Sequence, residues 1–91
     1  MPPVKFLARP DIVDTDIGDD RVLLDLEKNT YFTLNPTAAE VWQAISQPQS
    51  LDALVTIVTE KFDVTADLCR PDVEQLVGDL LAAELVTEVS A

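Results

Sequence analysis

Hydrophobic and polar residues alternate along the first third of the chain, as they do in β-strands with one buried face. The alternation is clearest over residues 21–26, and the apolar residues on its one shared face are Val22, Leu24 and Leu26. Weaker alternation covers residues 12–17, and residues 4–7 form a short apolar run that Pro10 terminates. This part of the chain is therefore predicted to be β-structure.

A further strand is predicted over residues 31–34, after a polar connection at residues 27–30. Asn29 in that connection tolerates the positive φ that a hairpin turn needs. The two faces of the strand differ: Phe32 and Leu34 lie on one, and Tyr31 and Thr33 lie on the other. We therefore predict a small antiparallel sheet with three strands.

The pattern changes to helical spacing after residue 36. Residues 37–40 read Thr-Ala-Ala-Glu, a capping box that predicts a helix start at Thr37 and an end near residues 47–48. The apolar stripe of this helix comprises Ala38, Val41, Trp42 and Ile45. Ser50 is a suitable N-cap for a second helix, whose stripe comprises Leu51, Leu54, Val55, Val58 and Phe62.

A third helix is predicted to begin at Pro71 and Asp72. Its apolar residues span an arc of about 140° at 100° per residue, which leaves open whether they serve the core alone or also a groove. These residues are Val73, Leu76, Val77, Leu80 and Leu81. Gly78 lies off this arc without a clear reason, and residues 85–89 are either a closing strand or a frayed end. The predicted fold is α+β and winged-helix-like, one domain over residues 1–91.

Composition and charge narrow the function. Apolar residues make up 47% of the 91-residue chain, so it can bury a core. Its net charge of −11 would repel phosphate backbones and anionic membrane surfaces, so we expect neither a nucleic acid nor a membrane as partner. A single cysteine, Cys69, excludes an intramolecular disulfide, and no apolar run approaches about 20 residues. These features are typical of a cytoplasmic protein.

Candidate catalytic chemistry is scarce. The chain has no histidine, one cysteine and two glycines, which argues against thiol catalysis and against a glycine-rich phosphate loop. An acidic stretch fails the calcium-loop pattern, since Gly18 falls where a ligand belongs and the twelfth position is Asp25 and not glutamate; the residues of the stretch are Asp14, Asp16, Asp19 and Asp20. We therefore expect no enzyme activity, metal or cofactor, and we expect Cys69 to pack at a helix start or to lie inert at the surface.

The strand–turn–helix segment over residues 22–42 resembles the PqqD-like family, the recognition elements for ribosomally made, modified peptides. The residues that carry the resemblance read Val-Leu-Leu-Asp-Leu at 22–26 and Tyr-Phe-Thr-Leu-Asn-Pro-Thr-Ala-Ala-Glu-Val-Trp at 31–42. The resemblance spans residues 11–86 and is greatest to the stand-alone leader-binding subunits of lasso peptide clusters. One departure is Glu84, which replaces a glycine often found near the end of the family's last helix.

The resemblance implies that a precursor's leader peptide adds as a strand to the third strand of the sheet and lies against the third helix. The implied binding residues are Thr30, Tyr31, Phe32, Thr33, Leu34, Val73, Leu76, Val77 and Leu80. It also implies partners: the leader, a transglutaminase-like leader protease and an asparagine-synthetase-like cyclase.

Three alternatives remain. The first is a PqqD-type peptide chaperone that serves a radical SAM enzyme. The second is a winged-helix DNA-binding protein, which the charge disfavours because residues 71–85 contain no lysine or arginine. The third is a carrier protein, for which residues 49–51 are a poor match to the Asp-Ser-Leu attachment site.

Overall fold

The computed structural model describes residues 4–18 and 20–90. Asp19, a member of the acidic stretch, lies outside the described residues. The elements in chain order are β1 (Val4–Ala8), β2 (Val13–Ile17), β3 (Asp20–Asp25), β4 (Thr30–Leu34), α1 (Pro36–Ala44), β5 (Gln49–Ser50), α2 (Leu51–Phe62), α3 (Ala66–Ala82) and β6 (Val86–Ser90). The predicted α+β order, a three-stranded antiparallel sheet followed by three helices, is confirmed.

The predicted sheet is formed by β2, β3 and β4 in that spatial order. Gly18 adopts φ 65° in the turn after β2, and Asn29 adopts φ 57° in the turn before β4, as predicted for Asn29. The second turn is fixed by Asp25, whose buried Oδ1 accepts hydrogen bonds from the amides of Glu27 and Lys28 at 3.2 Å each. This carboxylate therefore holds β4 in register with β3.

The two faces of β3 differ from what its alternation suggests. Val22 and Leu24 do share one face of β3, but that face points away from the main core, and Leu26 lies in the turn after β3, where it is 71% exposed. Leu23 faces inward with Phe32 directly opposite, and it is fully buried. β3 carries apolar side chains on both faces. The residue that enters the core is therefore Leu23, which lies between the alternating positions Val22 and Leu24.

A second sheet joins the two ends of the described chain. β1 pairs antiparallel with β6 along its whole length, from Val4 opposite Ser90 to Ala8 opposite Val86, and the short β5 pairs with the other side of β1. Residues 85–89 therefore belong mostly to a closing strand and not to a frayed end. Local sequence could not place β1 in this sheet, since its main partner lies about 80 residues further along the chain.

The first and third helices begin earlier than predicted. Asn35, and not Thr37, caps α1: its Oδ1 accepts from the amide of Ala38 at 2.8 Å, and Pro36 occupies the first helical position, which suits its fixed φ. The helix ends at Ala44, before the predicted boundary. In α3 the cap is Thr65, so Pro71 lies inside the helix at its sixth residue and does not open it.

The second helix begins where predicted, because the Oγ of Ser50 accepts from the amide of Ala53 at 3.1 Å. All three helices pack their apolar stripes into one core together with Leu23 and Leu34. Trp42 is buried in that core. Cys69 is buried at the fourth residue of α3, with its Sγ 3.9 Å from the carbonyl oxygen of Val55, so the prediction that it packs near a helix start is confirmed.

No helix in the described ranges is long and apolar enough to cross a membrane.

Candidate functional site

The free edge of β4 is the first component of the candidate site. β4 pairs with β3 on one side, and its other side has no partner strand among residues 4–18 and 20–90. An edge strand presents a row of backbone N–H and C=O groups that another extended chain can pair with. This edge is five residues long, or about 17 Å at the usual rise of roughly 3.4 Å per residue.

A groove of about 530 Å³ lies between this strand and α3. β4 and the start of α1 form one wall, and one face of α3 forms the other. The residues that line the groove are Phe32, Thr33, Asn35, Thr37, Ala38, Asp72, Gln75, Leu76 and Asp79. An extended peptide paired with β4 would therefore lie against α3.

The apolar part of the groove comes from three side chains. Phe32 and Leu76 are each partly buried and pack against the core, and Ala38 between them is buried. Phe32 and Leu76 belong to different elements, and the core fixes both. The groove therefore has a firm apolar base that can receive a side chain of a bound peptide.

The wall contributed by α3 is mostly polar. Its residues Asp72, Gln75, Leu76 and Asp79 recur at i, i+3, i+4 and i+7, which places them on one face of the helix. The Nε2 of Gln75 donates to the Oδ1 of Asp79 at 3.0 Å. Neither Asp72 nor Asp79 lies within 4.0 Å of a cationic side chain of the described residues. Two carboxylates thus flank Leu76 without a counter-ion.

Smaller cavities flank the groove at both ends. One, of about 190 Å³, lies at the start of β4 and includes Tyr31, Phe32 and Leu85. The other, of about 150 Å³, lies between α2 and α3 and shares Thr37 and Asp72 with the groove. A peptide longer than the β4 edge would therefore meet a second depression on either side.

The sequence-predicted binding residues divide into three groups. The structure brings Phe32, Thr33 and Leu76 together in the groove. Thr30 and Tyr31 lie further along the β4 edge, and Tyr31, which is 74% exposed, projects from the outer face of the sheet beside Leu24. The remaining four are buried in the core beneath the groove and can only support it: Leu34, Val73, Val77 and Leu80. Binding of a peptide by these nine residues stays a prediction.

Sequence reasoning missed the polar residues of the groove. It followed the apolar arc of α3, of which Leu76 is the outermost member on the groove side, and Asp72, Gln75 and Asp79 lie beyond that arc. Their spacing around Leu76 was a usable signal. On the other wall, Asn35 and Thr37 were assigned to a turn and a cap, although both also line the groove.

Glu84 lies at the C-terminal end of α3, where the resembled family often has a glycine. Glu84 adopts φ 61°, and its amide donates to the carbonyl of Leu81, while the amide of Leu85 donates to the carbonyl of Leu80. This pair of hydrogen bonds is a Schellman motif, in which glycine usually occupies the position of Glu84. Glu84 also forms an ion pair with Lys28 of the β3–β4 turn. The helix end is thus kept in the usual geometry despite the substitution.

The comparison with protein-family models gives a match over residues 20–86 to the family described as coenzyme PQQ synthesis protein D, PqqD. The chain belongs to the PqqD family. This match covers β3, β4 and all three helices, and so it includes both walls of the groove. No curated protein sequence gives a significant match to the chain.

Two solved structures are similar to this PqqD-family chain. One is TbiB1 in complex with the TbiA(beta) leader peptide, with a TM-score of 0.75, 22% identity, and coverage of 88% of this chain and 93% of TbiB1. The other is lasso peptide synthetase B1 complexed with the leader peptide, with a TM-score of 0.76, 27% identity, and coverage of 90% and 96%. The first supports the fold alone, and both of these proteins hold leader peptides.

Proposed function

We propose that this protein is a non-catalytic subunit that binds the leader of a ribosomally made precursor, of the lasso peptide class, and presents it to maturation enzymes. The observation that carries the proposal is the free β4 edge beside the groove against α3, in a fold shared with lasso peptide synthetase B1 in its leader complex. In this proposal residues 1–91 act as one recognition domain in the cytoplasm.

Strand addition accounts for the affinity and the groove accounts for the selectivity. Backbone hydrogen bonds to the β4 edge form with any extended peptide, whereas side chains on alternate positions enter the groove. Phe32 and Leu76 supply the apolar contact for one such side chain. Among the nine predicted residues, Phe32, Thr33 and Leu76 would touch leader side chains, and Thr30 and Tyr31 would border its end.

The site contains the means to bind and orient a peptide and lacks a nucleophile paired with a base. The chain has no histidine, and its only cysteine is buried and lines the smaller cavity beside the groove but not the groove itself. The chemical steps would therefore belong to partners: a transglutaminase-like protease that removes the leader and an asparagine-synthetase-like cyclase.

A second candidate is a peptide chaperone that serves a radical SAM enzyme. The family description, which names coenzyme PQQ synthesis, favours it. The same groove would serve both functions, so the two differ in the enzyme that receives the peptide. Reconstitution with each class of enzyme separates them: the partner whose turnover of the precursor depends on this protein is the correct one.

The cognate leader, meaning the N-terminal segment of the precursor encoded beside this protein's gene, provides the test. Calorimetric titration should give a dissociation constant in the micromolar range or tighter, about −8 kcal/mol, with a scrambled leader as control. N-methylation of single leader amides should weaken binding at alternate positions only, because every second amide of an added strand faces β4. An N-methylation profile without this alternation, or no binding at tens of micromolar, would refute strand addition at this edge.

A further inference from the structure

The α3 wall of the groove carries two carboxylates that backbone pairing of a peptide with β4 does not involve. Asp72 and Asp79 lie seven residues apart on α3, about 10.5 Å along the helix axis, with Leu76 between them. An extended peptide beside this wall would cover a carboxylate, then an apolar patch, then a second carboxylate.

Within residues 4–18 and 20–90, no cationic side chain lies within 4.0 Å of either carboxylate. Five of the six basic residues form ion pairs elsewhere, with Arg21 bonded to Asp14 at 2.7 Å and Arg70 bonded to Asp52 at 2.8 Å. These hydrogen bonds raise the pKa of both guanidinium groups, which are charged at neutral pH in any case. The sixth, Lys5, lies in β1 of the other sheet.

The helix dipole does not explain the two carboxylates. Asp72 is the seventh residue of α3, beyond the first turn in which an acidic side chain stabilises the helix dipole, and Asp67 already occupies that turn. Asp79 lies in the last turn, where the dipole disfavours an anion, and no basic residue offsets it there. The helix dipole thus favours neither carboxylate, although Asp79 accepts a hydrogen bond from Gln75, and both carboxylates share a face with the apolar contact of the groove.

From this arrangement we infer that Asp72 and Asp79 are specificity-determining residues that select leaders with a lysine or arginine on either side of an apolar residue. This inference rests on the proposed function. Side chains on one face of an extended peptide recur about every 6.7 Å, so positions i and i+4 are roughly 13 Å apart. Long basic side chains cover the difference of about 3 Å from the carboxylate spacing. The preferred leader pattern is therefore basic–x–apolar–x–basic, and it is the same for either peptide direction.

The cost of a mismatched leader follows from desolvation. A peptide that pairs with β4 removes part of the water around the two carboxylates, and an apolar or ionised acidic side chain has no donor to replace its hydrogen bonds. A lysine or arginine forms a charge-assisted hydrogen bond with each carboxylate. Because both aspartates are exposed in the free protein, we expect each pair to change the dissociation constant by roughly 5-fold and both together by about 30-fold.

Neutral isosteres test the inference. Asp72→Asn and Asp79→Asn keep the shape of the wall, and Glu74→Gln is the matched control because Glu74 is exposed on the same helix but does not line the groove. The double aspartate variant should bind the cognate leader about 30-fold more weakly and should lose most of the salt dependence between 50 and 300 mM. Glu74→Gln should leave both the affinity and the salt dependence unchanged.

A leader with its two groove-facing basic residues replaced by glutamate gives the reciprocal test. It should bind the wild-type protein poorly and recover with Asp72→Lys combined with Asp79→Lys. Equal affinity of the double asparagine variant and the wild-type protein would overturn the inference, and so would an equal loss in Glu74→Gln, which would indicate general attraction by the net charge. In both cases the wild-type protein still binds the leader. Failure of the wild-type protein to bind any leader would instead refute the proposed function.

Discussion

Leu76 and Val77 are neighbours on α3 with opposite roles, and truncation of each should separate binding from stability. Leu76 lines the groove and is partly buried, whereas Val77 is buried in the core. We expect Leu76→Ala to weaken leader binding with a small loss of stability. We expect Val77→Ala to destabilise the fold and to leave the affinity of the folded protein close to that of the wild type.

The magnitudes follow from the buried area. Leu→Ala removes three carbon atoms, worth about 2.4 kcal/mol when all are transferred from water at roughly 0.8 kcal/mol each. Leu76 is already partly buried in the free protein, so leader contact accounts for about 1 kcal/mol of this, a change of roughly 5-fold in the dissociation constant. Val77→Ala removes two buried methyl groups and leaves a cavity, which together cost about 2–3 kcal/mol of unfolding free energy.

Fluorescence polarisation with the labelled cognate leader and urea unfolding followed by circular dichroism measure the two quantities independently. The reasoning is refuted if Leu76→Ala binds the leader as the wild type does and Val77→Ala, still folded at the assay concentration, loses binding. That result would mean that the leader lies on a different side of α3.

Three further substitutions test the packing around the groove. Trp42→Ala should cost about 3–5 kcal/mol of unfolding free energy, because the indole is buried in the common core, and thermal unfolding checks this; a stable variant that loses leader binding would make Trp42 a ligand contact. Gly78→Ala should raise stability by up to about 1 kcal/mol at unchanged leader affinity, since an added Cβ meets nothing within 4 Å; a lower melting temperature would contradict this. Glu84→Gly should be more stable than Glu84→Ala by about 1 kcal/mol in urea unfolding. Both variants lose the ion pair with Lys28, and only glycine adopts the positive φ without strain; equal stabilities would argue against strain at this position.

Local signals in the sequence predicted the three helices, but they placed a helix start correctly only where a single capping residue was available. Ser50 was assigned correctly as a cap because its Oγ reaches an amide three residues away and no competing cap lies beside it. Asn35 and Thr37 competed for the same role two residues apart, and Pro36 decides between them, since its missing N–H and fixed φ suit the first helical position. The predicted start of α3 at Pro71 was wrong. Proline favours a helix start, but here the helix begins earlier, at the cap Thr65.

Long-range contacts set the features that local patterns could not predict. The pairing of β1 with β6 depends on two segments at opposite ends of the chain. The inward face of β3 is also set by tertiary packing, because both faces of that strand are apolar and only contact with the helices selects Leu23. The groove does lie between the strand and the helix that the family resemblance brings together, but which polar side chains line its wall depends on the orientation of α3.

Contacts at both ends of α3 hold the helix in that orientation. At one end, Cys69 packs toward Val55 of α2; at the other, the Schellman motif at Glu84 directs the chain into β6, which pairs with β1. The ion pair between Glu84 and Lys28 joins this second end to the turn that precedes β4. Both walls of the groove are therefore connected at the Glu84 end without passing through the groove itself. We therefore expect a peptide that binds between them to meet a preformed site and to lose little free energy to rearrangement of the protein.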